Sequence, residues 1–369
     1  MAASITTLAT NVAAPVNYQL MRGLLSAARK KLPYFNGSLP GTLAKQVGAP
    51  AVIWQRVNNL TAVTTAIGEV DGNSAWQNGR TLVRPVVSTV TATPLKYGNA
   101  IQLTEEIDLI QPNANSMKFM DTLGANAGES LNELMIDIYQ GVPATSRRLA
   151  GAVATIGSIV TAISANDIKY CVNQLNRNSA MSQLPIGTGS TNIGSSPIRE
   201  AYYGICHPDV EEDIRGITNF LGVEQYAGYT ATLPGEFGAL NGVRWCTSEL
   251  SGINTTSGVI VVDAGGNGSV ATLRATTTIT ACDLYDSFIY GREAMGTVGL
   301  GTAHGSSSKM MYDSIPAIEV IQHGAGSAGA GDPYNEIITL AWKSWFAGKI
   351  LNANWVYRIR SGATSLSAA

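Results

Sequence analysis

Between Asn115 and Gly141 apolar residues return every three or four positions, in a chain otherwise rich in Gly, Thr and Val. Met120, Leu123, Ala127, Leu131, Leu134 and Ile138 fall on one stripe of a helix, with Asp121, Asn126, Glu129 and Glu133 on the opposite side. Asn115 or Ser116 can cap its start, and Gly141 followed by Pro143 is a helix stop. About twenty-five residues at 1.5 Å each make a rod of roughly 38 Å. Gly124 and Gly128 lie one turn apart inside it. Each costs about 1 kcal/mol relative to Ala, which predicts another backbone passing close by. Asp121, Asn126 and Glu129 interrupt any apolar run of about eighteen residues, so the pattern predicts a spine packed in protein and no membrane span.

Ahead of the spine, residues 1–50 read as an arm. A helical segment over 18–31 has Leu20, Met21, Leu24, Leu25 and Ala28 on one face. Pro33 and the turn signals Asn36-Gly37 and Pro40-Gly41 follow, with little core between them. Residues 51–93 read as two long strands, 52–64 and 82–93, joined by a wide connection through Glu69, Trp76 and Arg80. Neither strand has a clean apolar face, since Trp54, Arg56, Asn58 and Leu60 share one side. A lone two-stranded ribbon is marginal in water, so its order has to come from another subunit.

Beyond Gly141 the pattern changes to short alternating elements. Ser164 with Asp167 three positions on predicts a capped helix carrying Ile168, Val172 and Leu175. Residues 201–206 predict a buried strand, and His207-Pro208-Asp209 opens a short helix. Further strands at 243–247, 259–263 and 287–290 complete an α/β unit over 163–314. Residues 318–323 read as one more strand. The run 337–360, with Trp342, Trp345, Phe346, Trp355 and Tyr357, reads as a packed hairpin.

Only 14 % of the 369 residues are charged, against roughly 25 % in an average soluble domain. Such a surface suits a subunit buried against copies of itself. The net charge of −2 gives no global pull toward nucleic acid or an anionic membrane. Cys171, Cys206, Cys246 and Cys282 stand far apart with no C-x-x-C pair, and no basic n-region opens the chain. Both features fit a reducing, cytosol-like compartment.

Signals for chemistry are thin. Gly324 to Gly329 spells G-x-G-x-x-G after a strand, but Gly331, Asp332 and Pro333 follow at once where a dinucleotide site needs a helix. That loop alone supports a nucleotide-binding α/β enzyme, and no cofactor is expected. His207, His304 and His323 are not spaced as a metal pair. Glu105-Glu106 and Glu211-Glu212-Asp213 read as solvated helix faces, and Arg147-Arg148 as a short basic pair without interleaved aromatics. No catalytic, cofactor-binding or metal-binding residue is predicted.

Several segments in this order resemble the major capsid proteins of tailed phages, in the branch first defined in podophages. The carriers are Tyr97-Gly98-Asn99 leading into Gln102-Leu103-Thr104-Glu105, and Ala127-Gly128-Glu129 through Asp137. Tyr203-Gly204-Ile205-Cys206-His207-Pro208-Asp209 with Ile214-Arg215, and Gly238 through Arg244 with Thr247, extend the match. It closes with Gly331-Asp332-Pro333 through Trp342-Lys343, Lys349-Ile350-Leu351-Asn352 and Trp355.

The resemblance implies a Johnson-type α+β capsid fold. Its parts would be an N-terminal arm (1–50), an extended E-loop (51–93), a peripheral domain on the spine (94–162), an axial domain (163–314) and a return to the peripheral domain with the tail (315–369). It implies a non-enzymatic subunit of hexamers and pentamers in an icosahedral virion capsid, assembled in the host cytoplasm around double-stranded DNA that it touches non-specifically. Portal, scaffolding and decoration proteins would be further partners, and no membrane is involved. On that map Trp54, Arg56, Glu69, Trp76, Arg80 and Arg84 are candidates for contact with a neighbouring subunit. Gly124 and Gly128 mark crossings of the spine, and Arg22, Arg29, Lys30 and Lys31 are candidates for facing the lumen and its DNA. A cell-encoded nanocompartment shell of the same fold is the alternative. In some relatives an E-loop lysine bonds covalently to an asparagine; residues 51–93 contain no lysine, so no such cross-link is expected.

Overall fold

The long helix occupies Asn115–Gln140 (α1) and ends where Gly141 donates its N–H to the carbonyls of Asp137 and Ile138. The computed structural model describes residues 32–35, 37–43, 50–57, 60, 62, 64, 84–104, 106, 115–183, 200–225, 235–251, 253–254, 283–300, 318–324, 334 and 336–364. Met120, Leu123, Ala127 and Leu131 are buried as the stripe requires, while Leu134 and Ile138 sit half-buried on its flank. Asn132, Met135, Ile136 and Tyr139 widen the buried face, because two different sheets cover it. Asn126, expected on the solvated side, instead accepts hydrogen bonds from Trp342 Nε1 at 3.2 Å and Asn99 Nδ2 at 3.3 Å. Gly124 and Gly128 are both buried. Gly124→Leu therefore overpacks an enclosed position and is expected to cost about 1–3 kcal/mol. Chemical denaturation reads the loss, and an unchanged midpoint would show that the helix has room there.

Fifteen strands are formed by the described residues. In chain order they are β1 (Leu39–Leu43), β2 (Val52–Val57), β3 (Val87–Ala92), β4 (Leu95–Thr104), β5 (Arg147–Leu149), β6 (Tyr202–Cys206), β7 (Leu221–Gly222), β8 (Glu236–Leu240), β9 (Val243–Thr247), β10 (Ile253–Asn254), β11 (Leu284–Tyr290), β12 (Met295–Leu300), β13 (Ile318–His323), β14 (Ile337–Ile350) and β15 (Val356–Ser361). Strand β14 is the axis of a five-stranded sheet. Along one edge β4 runs antiparallel from Thr104 opposite Ile337 to Leu95 opposite Phe346. The other edge takes β13 and then β12, with β1 added parallel to β12. The β4 contact is tight at Gly98, where a Cβ would stand 2.5 Å from the Trp342 carbonyl oxygen. Met120, Leu123 and Ala127 of α1 pack on this sheet against Leu340 and Trp342.

The second sheet has eight strands in the order β5-β15-β11-β6-β9-β8-β7, with β10 also on β11. One face receives the C-terminal half of α1. Here Tyr139 meets Tyr34, Phe288 and Tyr290 at ring-centroid distances of 5.3–5.4 Å. Desolvation raises the Tyr139 and Tyr34 phenols well above the usual range, and the Tyr34 hydroxyl donates to Ser251 Oγ at 2.9 Å. The other face is covered by helices Ala165–Arg177 (α2) and Pro208–Arg215 (α3). The Ser164 hydroxyl accepts from Asp167 N–H and donates to the Asp167 carboxylate. His207 caps α3 through Nδ1, which accepts from Asp209 N–H, so this histidine starts a helix as expected.

Three expectations need correction. The aromatic C-terminal run is not a hairpin. A short turn at Ala353–Trp355 sends β14 into one sheet and β15 into the other, because each finds longer-range partners. The arm is not free of core, since Tyr34 and Phe35 are fully buried between α1 and the sheets, and Leu39–Leu43 is a paired strand. The sheets also cross the expected segment boundaries: β12 joins the β14 sheet, while β5 and β15 complete the eight-stranded one. The helical segment at 18–31, the strand at 259–263 and the loop 325–330 lie outside the described residues.

A buried ionic cluster joins α1 to the second sheet. Asp286 on β11 accepts two hydrogen bonds from Arg358 and two from Arg360, at 2.6–3.0 Å. Arg358 Nη1 also donates to the carbonyl of Gln140, the last residue of α1. Burial pushes the Asp286 carboxyl up to about 6, with Arg360 and Arg147 pulling it down. At neutral pH it is ionised and supplies the countercharge that buried guanidiniums require.

Candidate assembly surface

Strands β2 and β3 form a two-stranded ribbon of their own, in register from Val52 opposite Ala92 to Val57 opposite Val87. Alternation splits its side chains between two faces. Trp54 lies on the inner face. A Cβ on Gly41 would stand 2.8 Å from its ring and one on Gly296 2.9 Å, so both glycines make room for the indole. Leu43, Ala92 and Val298 are buried beside it, with Val52 and Ala347 packed on them. Further along the inner face, Arg56 and Val90 overhang a cleft of about 360 Å³ reaching Met181, Glu293 and Trp355.

Among the described residues the outer face is exposed and mixes β-branched apolar side chains with Gln55, Thr89 and Thr91. Ile53, Val57 and Val87 are 58 %, 61 % and 50 % exposed, and the neighbouring Val86 and Leu60 expose similar fractions. A ribbon packed at its base around one indole and showing this much β-branched surface is a candidate for contact with another chain. The expected irregular patterning of these strands thus has a cause: the inner face packs on the sheet and the outer face is exposed. Trp54→Ala should release the base, at a cost of about 2 kcal/mol for a half-buried indole. Limited proteolysis would then cut between β2 and β3 sooner than in the parent chain while the rest of the fold persists.

Of the candidate contact residues, Trp54 packs within its own chain, and Arg56 and Arg84 are exposed. Glu69, Trp76 and Arg80 lie outside the described residues, as do Arg22, Arg29, Lys30 and Lys31. Ile53, Val57 and Val87 went unnamed by sequence reasoning. Their signal was β-branched residues at every other position, interrupted on the same face by Gln55 and Thr89 and obscured by Trp54 and Arg56 on the opposite one. Among the described residues no group of three or more His, Cys, Asp or Glu side chains could hold a metal, and no helix is long and apolar enough to cross a membrane. Cys171, Cys206 and Cys246 are buried free thiols, raised by desolvation.

No protein-family model matches the chain, and no curated protein matches it in sequence. Its three-dimensional likeness is extensive. The capsid of Ralstonia phage GP4 aligns with a TM-score of 0.58 at 11 % identity, covering 92 % of this chain and 93 % of that one. The cyanophage Pam1 capsid aligns at 0.54 and 12 % identity over 92 % and 93 %. The capsid of cyanophage P-SCSP1u aligns at 0.53 and 12 % identity over 90 % and 89 %. Over 90–92 % of its length, the chain has the Johnson-type α+β fold of phage capsid proteins.

Proposed function

We propose that the chain is the major capsid protein of a tailed phage, self-assembling as hexamers and pentamers into an icosahedral shell around double-stranded DNA. The observation that carries this reading is a capsid fold over nine-tenths of the chain whose ribbon leaves a β-branched face exposed. In a shell that face would lie on the neighbouring subunit, with Arg56 and Arg84 at its margins. The low charge follows, because a subunit enclosed on all sides has little surface to keep solvated. A structural role calls on no catalytic constellation. Portal, scaffolding and decoration proteins, non-specific contact with the packaged DNA and assembly in the host cytoplasm belong to the same proposal.

Negative-stain microscopy of the expressed protein tests it. Closed polyhedral particles or capsomers are the expected result, and a population of discrete monomers at assembly concentrations would overturn it. Nucleic acid inside the particles separates a virion from a nanocompartment, which would hold protein cargo. Assembled particles should also dissociate to single-chain bands on a denaturing gel, since 51–93 has no lysine to cross-link; a ladder of covalent oligomers would refute that point.

A further inference from the structure

Strand β5 is the edge of the eight-stranded sheet and pairs parallel with β15, setting Arg147 beside Arg358 and Arg148 beside Ile359. Paired residues share a face, so Arg147, Arg358 and Arg360 project together on one side, around Asp286. Arg148 takes the other side, where its Nε reaches Asp167 at 2.9 Å and its guanidinium lies 4.6 Å from the Tyr170 ring centroid. All four arginines and Tyr170 line one cleft of about 490 Å³. Its acidic counterparts are Asp286 and Asp167, so the cleft carries an excess of two positive charges. Both Asp286 oxygens are already filled by Arg358 and Arg360. Arg147 uses its Nε on the Val142 carbonyl at 2.7 Å. Among the described residues its two terminal nitrogens, and Nη1 of Arg360, have no acceptor. Forked donors and a positive excess inside a concave site match a tetrahedral phosphate oxyanion, with oxygens for several donors, better than a lone carboxylate, which one fork would satisfy.

We propose that this cleft binds phosphate, as the inorganic ion or as the phosphodiester of a nucleic-acid backbone. Arg147 and Arg360 supply the direct hydrogen bonds, and Arg148 and Arg358 supply charge from fixed positions. The site does not depend on the shell reading, since its arginines come together within one chain.

The test uses the full chain at constant ionic strength, titrated with inorganic phosphate and, separately, with chloride. Phosphate should raise the melting temperature saturably, and chloride should not. Arg147→Gln should weaken phosphate binding by about tenfold, as expected for loss of a charged hydrogen-bond donor. Arg56→Gln, on the ribbon and outside the cleft, should bind as the parent does. Competition by a duplex oligonucleotide for the phosphate site identifies the backbone as a source, and its absence identifies the free ion. Equal responses to phosphate and chloride, or parental affinity in Arg147→Gln, would overturn the proposal. Should Arg147→Gln not fold, Arg147→Lys keeps the charge without the fork, and wild-type phosphate affinity in that variant would have the same force.

Discussion

Replacing Arg358 with Met is expected to destabilise the fold by about 3–5 kcal/mol at pH 8, and by less at pH 5. The substitution keeps the side chain's bulk and removes its charge. Asp286 would then depend on Arg360 alone inside the protein, and the terminal carbonyl of α1 would lose its donor. The pH dependence follows from the carboxyl. In the parent chain burial holds Asp286 up at about 6 folded, against 3.8 for an unperturbed aspartate. Its contribution to stability is therefore greatest below about pH 4, falls as pH rises toward 6 and is level above. Without Arg358 the folded value climbs further, so the fall extends to higher pH and the variant suffers most where the carboxylate must be ionised. Urea denaturation at both pH values measures this. An equal loss at pH 5 and pH 8 would mean that Arg358 acts through packing, with no electrostatic share.

The double substitution Ile53→Glu with Val57→Glu should abolish assembly while leaving the melting temperature of the free chain nearly unchanged. Both side chains are more than half exposed and touch none of the buried clusters. Surface changes of this kind usually alter stability by about 0.5 kcal/mol or less. In a shell each copy would place two carboxylates against an apolar neighbour, and burying an unpaired charge costs far more than a contact returns. Size-exclusion chromatography beside microscopy reads the outcome: folded subunits without particles. Normal shells from this variant would remove the ribbon's outer face from the assembly interface. Lower thermal stability in the free chain would place those residues in the fold itself.

Local features were legible where neighbouring residues alone determine them. The period of α1, its stop at Gly141, the Ser164–Asp167 cap and the His207-Pro208 helix start all depend on positions within a few residues of one another. The rest depends on partners far along the chain. Tyr34 looks like an isolated aromatic between turns until Tyr139 and Phe288 close on it. Asp286 lies 72 and 74 positions from its arginines, and Arg147 more than two hundred from Arg358, so no spacing in the sequence could reveal either the clamp or the cleft. The aromatic run 337–360 suggested a hairpin by density alone. Nothing local said that Asn352, whose side chain accepts from Asn354 N–H, would turn the chain out of one sheet into another. On the ribbon, Trp54 and Arg56 stand out by size and charge, while the exposed outer face is made of plainer residues.

The hydrogen bond from Arg358 to Gln140 ties the C-terminal end of α1 to the eight-stranded sheet. The helix spans 26 residues, about 39 Å at 1.5 Å per residue, and its far half rests on the sheet built around β14. A tilt of about 5° about the Gln140 end would displace the other end, and the sheet packed on it, by about 3 Å, over the length that the helical rise sets. The ribbon base sits on the β12 and β14 side of that same sheet. Any change of angle between the two sheets would be magnified along α1, and a ribbon that meets a neighbouring subunit would carry that shift into the contact.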